Sequence, residues 1–494
     1  MRLRFLILWI LLLLRALMSS LSAQSADRRL TLDEAILLAR TQSADAAVVI
    51  NEFKTAYWEY RTFQADLLPE FTFTGTLPNY SKQYSAYQQS NGAYTFVRSN
   101  VLEMTGALGV TQNIWPTGGK LSLNTSLDYL QQLGADGDKR FMAIPVELKL
   151  TQPIFSVNPI RWKRKIEPVR YREAKANFIT ATEEVAMKTI SAFFKLILAR
   201  ENVTIARQNH DNAVRLYDLA VAKRRIGQIS ESDLMQLRIS MLDAESTLTS
   251  NETNCNSALF TLRSFLGMSE TDRIDPLLPS DPDRLPVEYA AVLDKAQANH
   301  AFSLNIRRRQ LEADYAVATA KGEMRQISLF ASVGLSGEDA AFHRAYGNPH
   351  DNQVVRVGVT LPLIDWGKRK GKVKVAESNR EMMAAKLRQE EMNFSQDLFI
   401  LVEQFNNQAK QLRLAAEVDE LASRRYDTAL ETFVVGSLSI LELNDARNSK
   451  DSARRQRINQ LYLYWYYYYQ LRSLTLWDFE RACPLADPFV SDFL

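Results

Sequence analysis

The residues of this 494-residue chain that commonly perform chemistry are few and scattered. Its four histidines (His210, His300, His343 and His350) form no His-x-x-x-His pair of the kind that binds zinc on one helix face. The Gly-Gly-Lys run at 118–120 lacks the spacing of a phosphate-binding loop, and the sequence has no Gly-x-Ser-x-Gly motif. We therefore predict a protein that is not an enzyme and has no cofactor and no metal site.

The charge balance excludes further classes of function. The chain has 60 Lys and Arg against 57 Asp and Glu, a formal net charge of +3. This balance predicts no nucleic-acid partner, because phosphate recognition requires a clustered basic surface. A hydrophobic content of 46% is sufficient for a large core.

Residues 1–23 have the layout of a secretory signal peptide. Arg2 and Arg4 precede an apolar run from Phe5 to Leu14, and small residues follow up to Ala23. A membrane anchor is the alternative, but the run has only about half of the roughly 20 residues that a spanning helix needs. The rest of the chain has no long apolar run, so an exported form is either soluble or crosses the outer membrane as strands.

The sequence contains an internal duplication. An alternating segment ending in TQPIF, around Pro153, precedes a basic helix start, and TLPLI around Pro362 does the same 209 residues later. Two Gly turns followed by a Ser and a helix, at Gly227 and Gly436, are also 209 residues apart.

The N-terminal segments of the two repeats also match, but at a different sequence offset. Pairing Pro69 with Gln326 gives 257 residues, so the first half has 48 extra residues. Two alternating segments joined by Pro-Thr-Gly-Gly account for them and predict an added hairpin at about 101–148. The hairpin either joins the predicted sheet, which would then have six strands per chain instead of four, or it folds outside the sheet as part of a loop.

Two segments predict very long helices. From Ile160 to Ile226 the chain has one Pro, Pro168, and no Gly, so one helix of roughly 100 Å is expected. The second half allows a similar helix from Lys368 to Val435. Helices this long need partner helices, which predicts a coiled-coil-like bundle. The aromatic run Tyr462–Tyr469 is expected to pack between helices rather than form an interfacial belt.

The predicted strands alternate with period two. Phe71 and Phe73 face one way, and the threonines between them face the other. This pattern fits a membrane barrel with a water-filled lumen, or a soluble antiparallel sheet with one solvent-exposed face. The signal, the duplication and the long helices together favour the barrel. Four to six strands cannot enclose a water-filled pore, so several copies must share one barrel.

The chain resembles the TolC-like outer-membrane efflux protein family. The opening LTLDEA, the TQPIF strand end and the paired Gly turns carry the resemblance, which extends to the helix ending near Leu476. It implies a mainly α fold, with long coiled-coil-like helices in a trimeric α-barrel and a membrane β-barrel whose strands are shared between subunits. It also implies a homotrimer in outer-membrane lipid that extends into the periplasm.

The family's role is the exit duct of a tripartite efflux or type I secretion system. The implied partners are a periplasmic adaptor (membrane fusion) protein and an inner-membrane pump. The expected organisation is a signal peptide (1–23), a first-repeat helix (24–68), strands (69–155), a helical hairpin (160–267), a second-repeat helix (286–325), strands (326–363), a second hairpin (368–476) and a tail (477–494).

The resemblance also assigns residues to the inner end of the tunnel. Glu442 and Asp445 match two acidic residues that ring the entrance in this family, and such a ring favours cations. The alternative is an ordinary solvated helix face. Gly227 and Gly436 match the helix-tip turns where an adaptor docks, or they are plain hairpin turns.

Entrance closure is expected to differ from the family pattern. Asp233 matches an acidic residue that holds the entrance shut, but the Arg and Tyr expected as its polar partners are Leu438 and Phe433 here. We therefore expect closure by apolar packing of these two side chains.

Two rival interpretations are a periplasmic adaptor and a soluble coiled-coil scaffold. An adaptor would normally show one helical hairpin between small β-domains, not a duplication.

Overall fold

The computed structural model describes residues 28–485, except residues 89, 91, 134–136, 228, 270–271, 273, 283–285, 325, 361–363 and 435–439. The predicted signal peptide lies outside the described residues. The helices are α1 (Leu32–Gln42), α2 (Ala44–Ala65), α3 (Pro159–Arg225), α4 (Glu231–Leu266), α5 (Tyr289–Asn299), α6 (Ala301–Gly322), α7 (Phe342–Gly347), α8 (Lys368–Val434) and α9 (Ile440–Thr475). The strands are β1 (Arg28–Leu30), β2 (Glu70–Gln88), β3 (Tyr94–Ile114), β4 (Gly119–Gln132), β5 (Lys139–Pro153), β6 (Ile274–Pro276), β7 (Gln326–Asp339), β8 (His350–Thr360), β9 (Trp477–Asp478) and β10 (Cys483–Pro484).

The helices repeat in length between the two halves. α1 and α5 each have 11 residues, and α2 and α6 each have 22. The long helices α3 and α8 each have 67 residues, and their partners α4 and α9 each have 36. Pro168 lies inside α3, near its start but past the first turn where a proline is best tolerated, and the helix continues through it. Within the described part of the chain, no helix combines the length and apolar composition needed to cross a membrane.

The stretches at 24–68 and 286–325, each expected to hold one helix, contain two. In the first, α1 ends before Ser43, whose hydroxyl accepts a hydrogen bond from the Ala46 backbone N–H at 3.0 Å and so starts α2. His300 occupies the corresponding break between α5 and α6. The N-terminus of α1 is also fixed, by a capping box between Thr31 and Glu34.

One six-stranded sheet holds the long strands, in the order β2-β3-β4-β5-β7-β8 with antiparallel neighbours. β3 and β4, the strands that flank the Pro-Thr-Gly-Gly turn, lie inside this sheet. The added hairpin is therefore part of the sheet and not a separate loop. The topology brings the start of β2, the β3–β4 turn, the end of β5, the start of β7 and the end of β8 to one end of the sheet. The opposite end carries the connections from β2 to β3, from β4 to β5 and from β7 to β8.

The strand register gives the sheet two chemically different faces. An apolar row crosses five strands: Phe71, Val110, Leu123, Leu148 and Val333. The neighbouring row, on the other face, crosses six strands: Thr72, Gly109, Asn124, Glu147, Gly334 and Asn352. The alternation predicted from FTFTGTL therefore continues from β2 to β7, whereas in β8 the residue paired with Val333 is the polar Gln353.

The chain divides into two compact units. The first comprises residues 1–53, 175–300 and 393–494, and the second residues 54–174 and 301–392. The core of the first unit contains Phe193 of α3, Leu262 of α4, Phe405 of α8 and Tyr464 of α9, each nearly inaccessible to solvent. Burying side chains of this size contributes roughly 1.5–3 kcal/mol each. Tyr464 and Tyr468 belong to the aromatic run and both pack against Phe405, as expected for packing between helices.

Candidate functional site

The first helical tip is a glycine turn followed by a capped helix. α3 ends at Arg225, and Gly227 has a φ of 76°, in the left-handed region that glycine adopts without strain. The Gly227 N–H donates to the Arg224 carbonyl oxygen at 3.0 Å. The predicted turn position therefore serves the backbone reversal between α3 and α4.

Asp233 lies in the first turn of α4 and has a local partner. The Ser230 hydroxyl accepts from the Asp233 backbone N–H at 3.1 Å, and the Asp233 carboxylate accepts from the Ser230 N–H at 3.2 Å. This capping box satisfies two N–H groups that the helix start leaves without partners. The hydrogen bond from the Ser230 hydroxyl, followed by the one from its backbone N–H, holds the pKa of the exposed Asp233 carboxyl below its ordinary value.

The second tip is only partly described. α8 ends at Val434 and α9 begins at Ile440. Gly436 and Leu438 lie outside the described residues, as does the side chain of Phe433, although its backbone belongs to α8. The roles predicted for these three residues stay predictions.

The two acidic residues predicted for the entrance lie in the first two turns of α9. Glu442 and Asp445 are three residues apart and both exposed, so they share one side of the helix. Asp445 has a partner that the sequence analysis did not identify: the Arg425 guanidinium of α8 donates to its carboxylate at 2.6 Å. Arg425 also donates to the Ser449 hydroxyl at 3.3 Å.

The pairing of Arg425 with Asp445 follows from the hairpin. The two residues precede and follow the Gly436 turn by 11 and 9 positions, so antiparallel helices bring them side by side. Only the hairpin register reveals this partnership, because nothing in the local sequence marks Arg425. The structure thus pairs Asp233 and Asp445 each with a residue of its own hairpin.

Further along the second hairpin, a buried carboxylate ties α8 to α9. Asp419 of α8, whose side chain is 8% exposed, lies 3.4 Å from Arg454 and 3.2 Å from Arg457 of α9. Arg457 also pairs with Asp281 at 2.7 Å. A carboxylate this buried is stable as an anion only with such partners. These pairs fix the helix register that places Asp445 beside Arg425.

No metal site is found in the part of the chain that the structure describes: no three His, Cys, Asp or Glu side chains there are grouped to hold an ion. Among the described tip residues, Ser230 and Asp233 form a helix cap, and Arg425 and Asp445 form an ion pair. The arrangement can therefore reverse helices and present charge.

A comparison with protein families shows which family contains a chain with these two hairpins and this sheet. The model of the family described as "Outer membrane efflux protein" matches residues 35–268 and 296–475, which is most of the chain and includes both tips. The chain belongs to the outer membrane efflux protein family. The predicted family, fold class and outer-membrane location are thereby confirmed. The family consists of transport channels, which decides against the adaptor and the soluble scaffold.

This outer membrane efflux protein also has relatives among characterised proteins and solved structures. It is 21% identical over 287 residues to the cobalt-zinc-cadmium resistance protein CzcC of Cupriavidus metallidurans, a match that covers 58% of this chain and 66% of CzcC, just under two thirds of its length. Its fold is similar to the CmeC outer membrane channel of Campylobacter jejuni, with a TM-score of 0.65, 15% identity and coverage of 93% and 88% of the two chains. The outer membrane protein VceC of Vibrio cholerae gives a TM-score of 0.59 at 14% identity, covering 92% and 97%.

Proposed function

We propose that three copies of this chain form the exit duct of a tripartite efflux system. An inner-membrane pump and a periplasmic adaptor would pass substrates into its helical end, and the chain would act as a conduit rather than as an enzyme. The observation that carries the proposal is the six-stranded sheet with one apolar and one polar face. The row Phe71, Leu123, Leu148 and Val333 is 45–79% exposed, which suits lipid and not water.

The sheet of one chain is open at both edges. β2 and β8 each have one strand neighbour within the described residues, so each leaves a row of backbone N–H and C=O groups without a strand partner. Such edges cannot face lipid, because each unpaired group there costs several kcal/mol. Six strands from each of three copies give 18, within the range of about 16–18 strands that encloses an aqueous channel.

The long helices also carry apolar surface that the single chain leaves uncovered. Leu414, Val418 and Leu421 of α8 are 54%, 54% and 55% exposed, at the spacing of one helical stripe. Ile239 and Leu242 of α4 are 52% and 50% exposed. A second copy packed along these helices would bury both sets, which supports a helical tube built from several copies.

The tips of the hairpins are the proposed entrance. Three copies of Glu442 and Asp445 would place six carboxylates around one opening and favour cations. Closure would involve Asp233 together with apolar packing of Phe433 and Leu438. The turns at Gly227 and Gly436 would present the surface for the adaptor.

Conductance of the purified protein in planar lipid bilayers tests the proposal. We expect discrete channels that prefer cations over anions, and we expect Glu442→Gln/Asp445→Asn to lower that preference. Glu417→Gln/Asp427→Asn removes two exposed carboxylates of α8 and is the matched control. A protein that forms no channels, or one whose selectivity responds equally to both double variants, would refute the proposed entrance.

A further inference from the structure

Positive charge is concentrated in two short segments of the chain. Residues 159–166 contain four Lys and Arg and no acid, and residues 367–375 contain five and no acid. These 17 residues carry +9, whereas the whole chain carries +3, so the rest of the chain is net negative by 6. The first segment is the start of α3, and the second is Gly367 followed by the start of α8.

The duplication keeps the charge at equivalent positions. At the 209-residue offset, Arg161 corresponds to Lys370, Lys163 to Lys372 and Lys165 to Lys374. All six side chains are exposed. Both repeats of the chain therefore have a cationic side chain at the same three positions of the strand-to-helix junction.

The two junctions lie at the same end of the sheet. The β3–β4 turn begins after the Ile114–Gly119 pair, β5 ends where Pro153 pairs with Ser328, and β8 ends where Thr360 pairs with Gln326. We call residues 154–165 and 364–374, together with Trp115, the junction band. It lies at the end of the sheet where β5 connects to α3 and β8 connects to α8.

The junction band also carries exposed apolar side chains. Trp366 is 95% exposed, Ile364 74% and Phe155 57%. Two of the cations lie over aromatic rings: the Arg164 guanidinium is 3.9 Å from the centre of the Trp115 ring, and the Lys165 ammonium is 4.9 Å from that of Trp162. Tryptophans mixed with Lys and Arg are typical of the boundary between hydrocarbon and head groups.

Helix stability does not explain the cations. The start of a helix favours acidic side chains, and Lys or Arg there opposes the macrodipole. Neither α3 nor α8 has an acidic residue in its first turn. Lys372 and Lys374 pair with Glu323 and Glu377. By contrast, no side-chain hydrogen bond or ion pair involving Lys163, Lys368 or Lys370 occurs within the described residues.

We propose that the junction band binds the phosphate groups of anionic phospholipids in the membrane leaflet on the helix side of the barrel. The exposed tryptophan and aliphatic side chains enter the edge of the hydrocarbon, and the cations lie at head-group level, where each Lys or Arg attracts anionic lipid. This inference rests on the proposed function, because it requires the sheet to span a membrane. It adds a lipid class and a binding surface to that function.

Lipid retention tests the inference on the full chain. Detergent-solubilised protein is mixed with equal amounts of phosphatidylglycerol and phosphatidylcholine, washed, and its bound lipid is quantified by mass spectrometry. We expect the protein to retain phosphatidylglycerol in at least about threefold excess. Lys163→Gln/Lys368→Gln/Lys370→Gln is expected to bring the ratio close to one. The control Lys195→Gln/Lys386→Gln/Lys410→Gln removes three exposed helix lysines outside the junction band and should leave the ratio unchanged.

Equal retention of the two lipids by the unaltered protein, or an equal loss in both triple variants, would overturn the inference. Displacement of phosphatidylglycerol by an equal concentration of inorganic phosphate would overturn it too, since the site would then bind a free anion. Conductance of the same preparation separates the two proposals. A conducting protein without lipid preference refutes this inference alone, whereas a protein that neither conducts nor retains lipid refutes the proposed function.

Discussion

At the scale of single residues, Arg425 determines how much charge Asp445 presents. Its guanidinium lies 2.6 Å from the carboxylate, while both side chains remain more than half exposed. We predict that Arg425→Gln increases the cation preference of the channel, because the Asp445 charge is no longer compensated. The free energy of unfolding should change by less than about 1 kcal/mol, as it does for other exposed salt bridges. Reversal potentials in asymmetric salt measure the selectivity.

Arg424→Gln is the matched control for this prediction. Arg424 is also exposed on α8, but it pairs with Glu420 of the same helix and not with a predicted entrance residue. The same change in selectivity in both variants would mean that the overall charge of the hairpin, and not the Arg425–Asp445 pair, sets the preference.

His300 makes the helical unit sensitive to acid. Its ring stacks on Phe394, with centroids 5.5 Å apart, and burial lowers its pKa from 6.5 to about 4. Above pH 6.5 the residue is neutral in both the folded and the unfolded chain, so its ionisation does not affect stability. As pH falls from 6.5 to 4 the unfolded chain takes up the proton first, and stability decreases by about 2–3 kcal/mol in total.

We predict that His300→Gln flattens this pH dependence. The midpoint of thermal unfolding, followed by circular dichroism in detergent between pH 7 and pH 4, should fall less steeply than for the unaltered protein. His343→Gln, in the short helix α7, removes a histidine elsewhere as a control. The same slope in all three proteins would exclude His300 as the source of the acid sensitivity.

At the scale of elements, a buried charge network joins α1, α3 and α9. Glu183 of α3, with a side chain 3% exposed, accepts from Arg40 of α1 at 2.5 Å and from Arg472 of α9 at 3.2 Å. Arg472 continues to Asp478 at 3.1 Å, which also accepts from the Tyr468 hydroxyl at 2.7 Å. Asp478, directly after α9, is thereby tied to the helices.

We predict that Glu183→Gln destabilises the fold by about 3 kcal/mol. The amide is neutral, so it leaves two partly buried guanidinium groups without their shared counter-charge. The denaturant midpoint of unfolding measures the loss. Glu184→Gln, at the exposed neighbouring position, should change stability by less than about 0.5 kcal/mol. A similar effect of the two substitutions would contradict the importance of the network.

The elements differ in how far the sequence predicts them. The lack of Gly and the single Pro from Ile160 to Ile226 were enough for the long helix, because helix breakers act locally. The matching offset predicted its counterpart in the second half. The breaks at Ser43 and His300 were not predicted, because they depend on one cap and one residue within otherwise helical segments.

The candidate site was predictable only where the signal lies in nearby residues. Gly227 is marked by its turn, and the Ser230–Asp233 capping box by its own spacing. The Arg425–Asp445 pair and the pairs of Glu183 with Arg40 and Arg472 join residues 20 to 289 positions apart, and no local pattern encodes such pairs. These contacts become visible only when the hairpin register and the helix packing are known.

At the scale of the whole molecule, one idea links the sheet to the function. Within the described residues, the sheet is largely apolar on one face, polar on the other and open at both edges, so we infer that a single chain is incomplete. Neighbouring copies would pair β2 of one chain with β8 of the next and would also cover the apolar stripes of α4 and α8. The family's role as an efflux channel would then follow from the water-filled interior that this proposed closure would create.

Native mass spectrometry of the detergent-purified protein tests this idea most directly. We predict a particle with three times the mass of the mature chain, and a membrane fraction that releases it only with detergent. A single-chain mass, for a protein that stays in solution without detergent, would contradict the shared barrel.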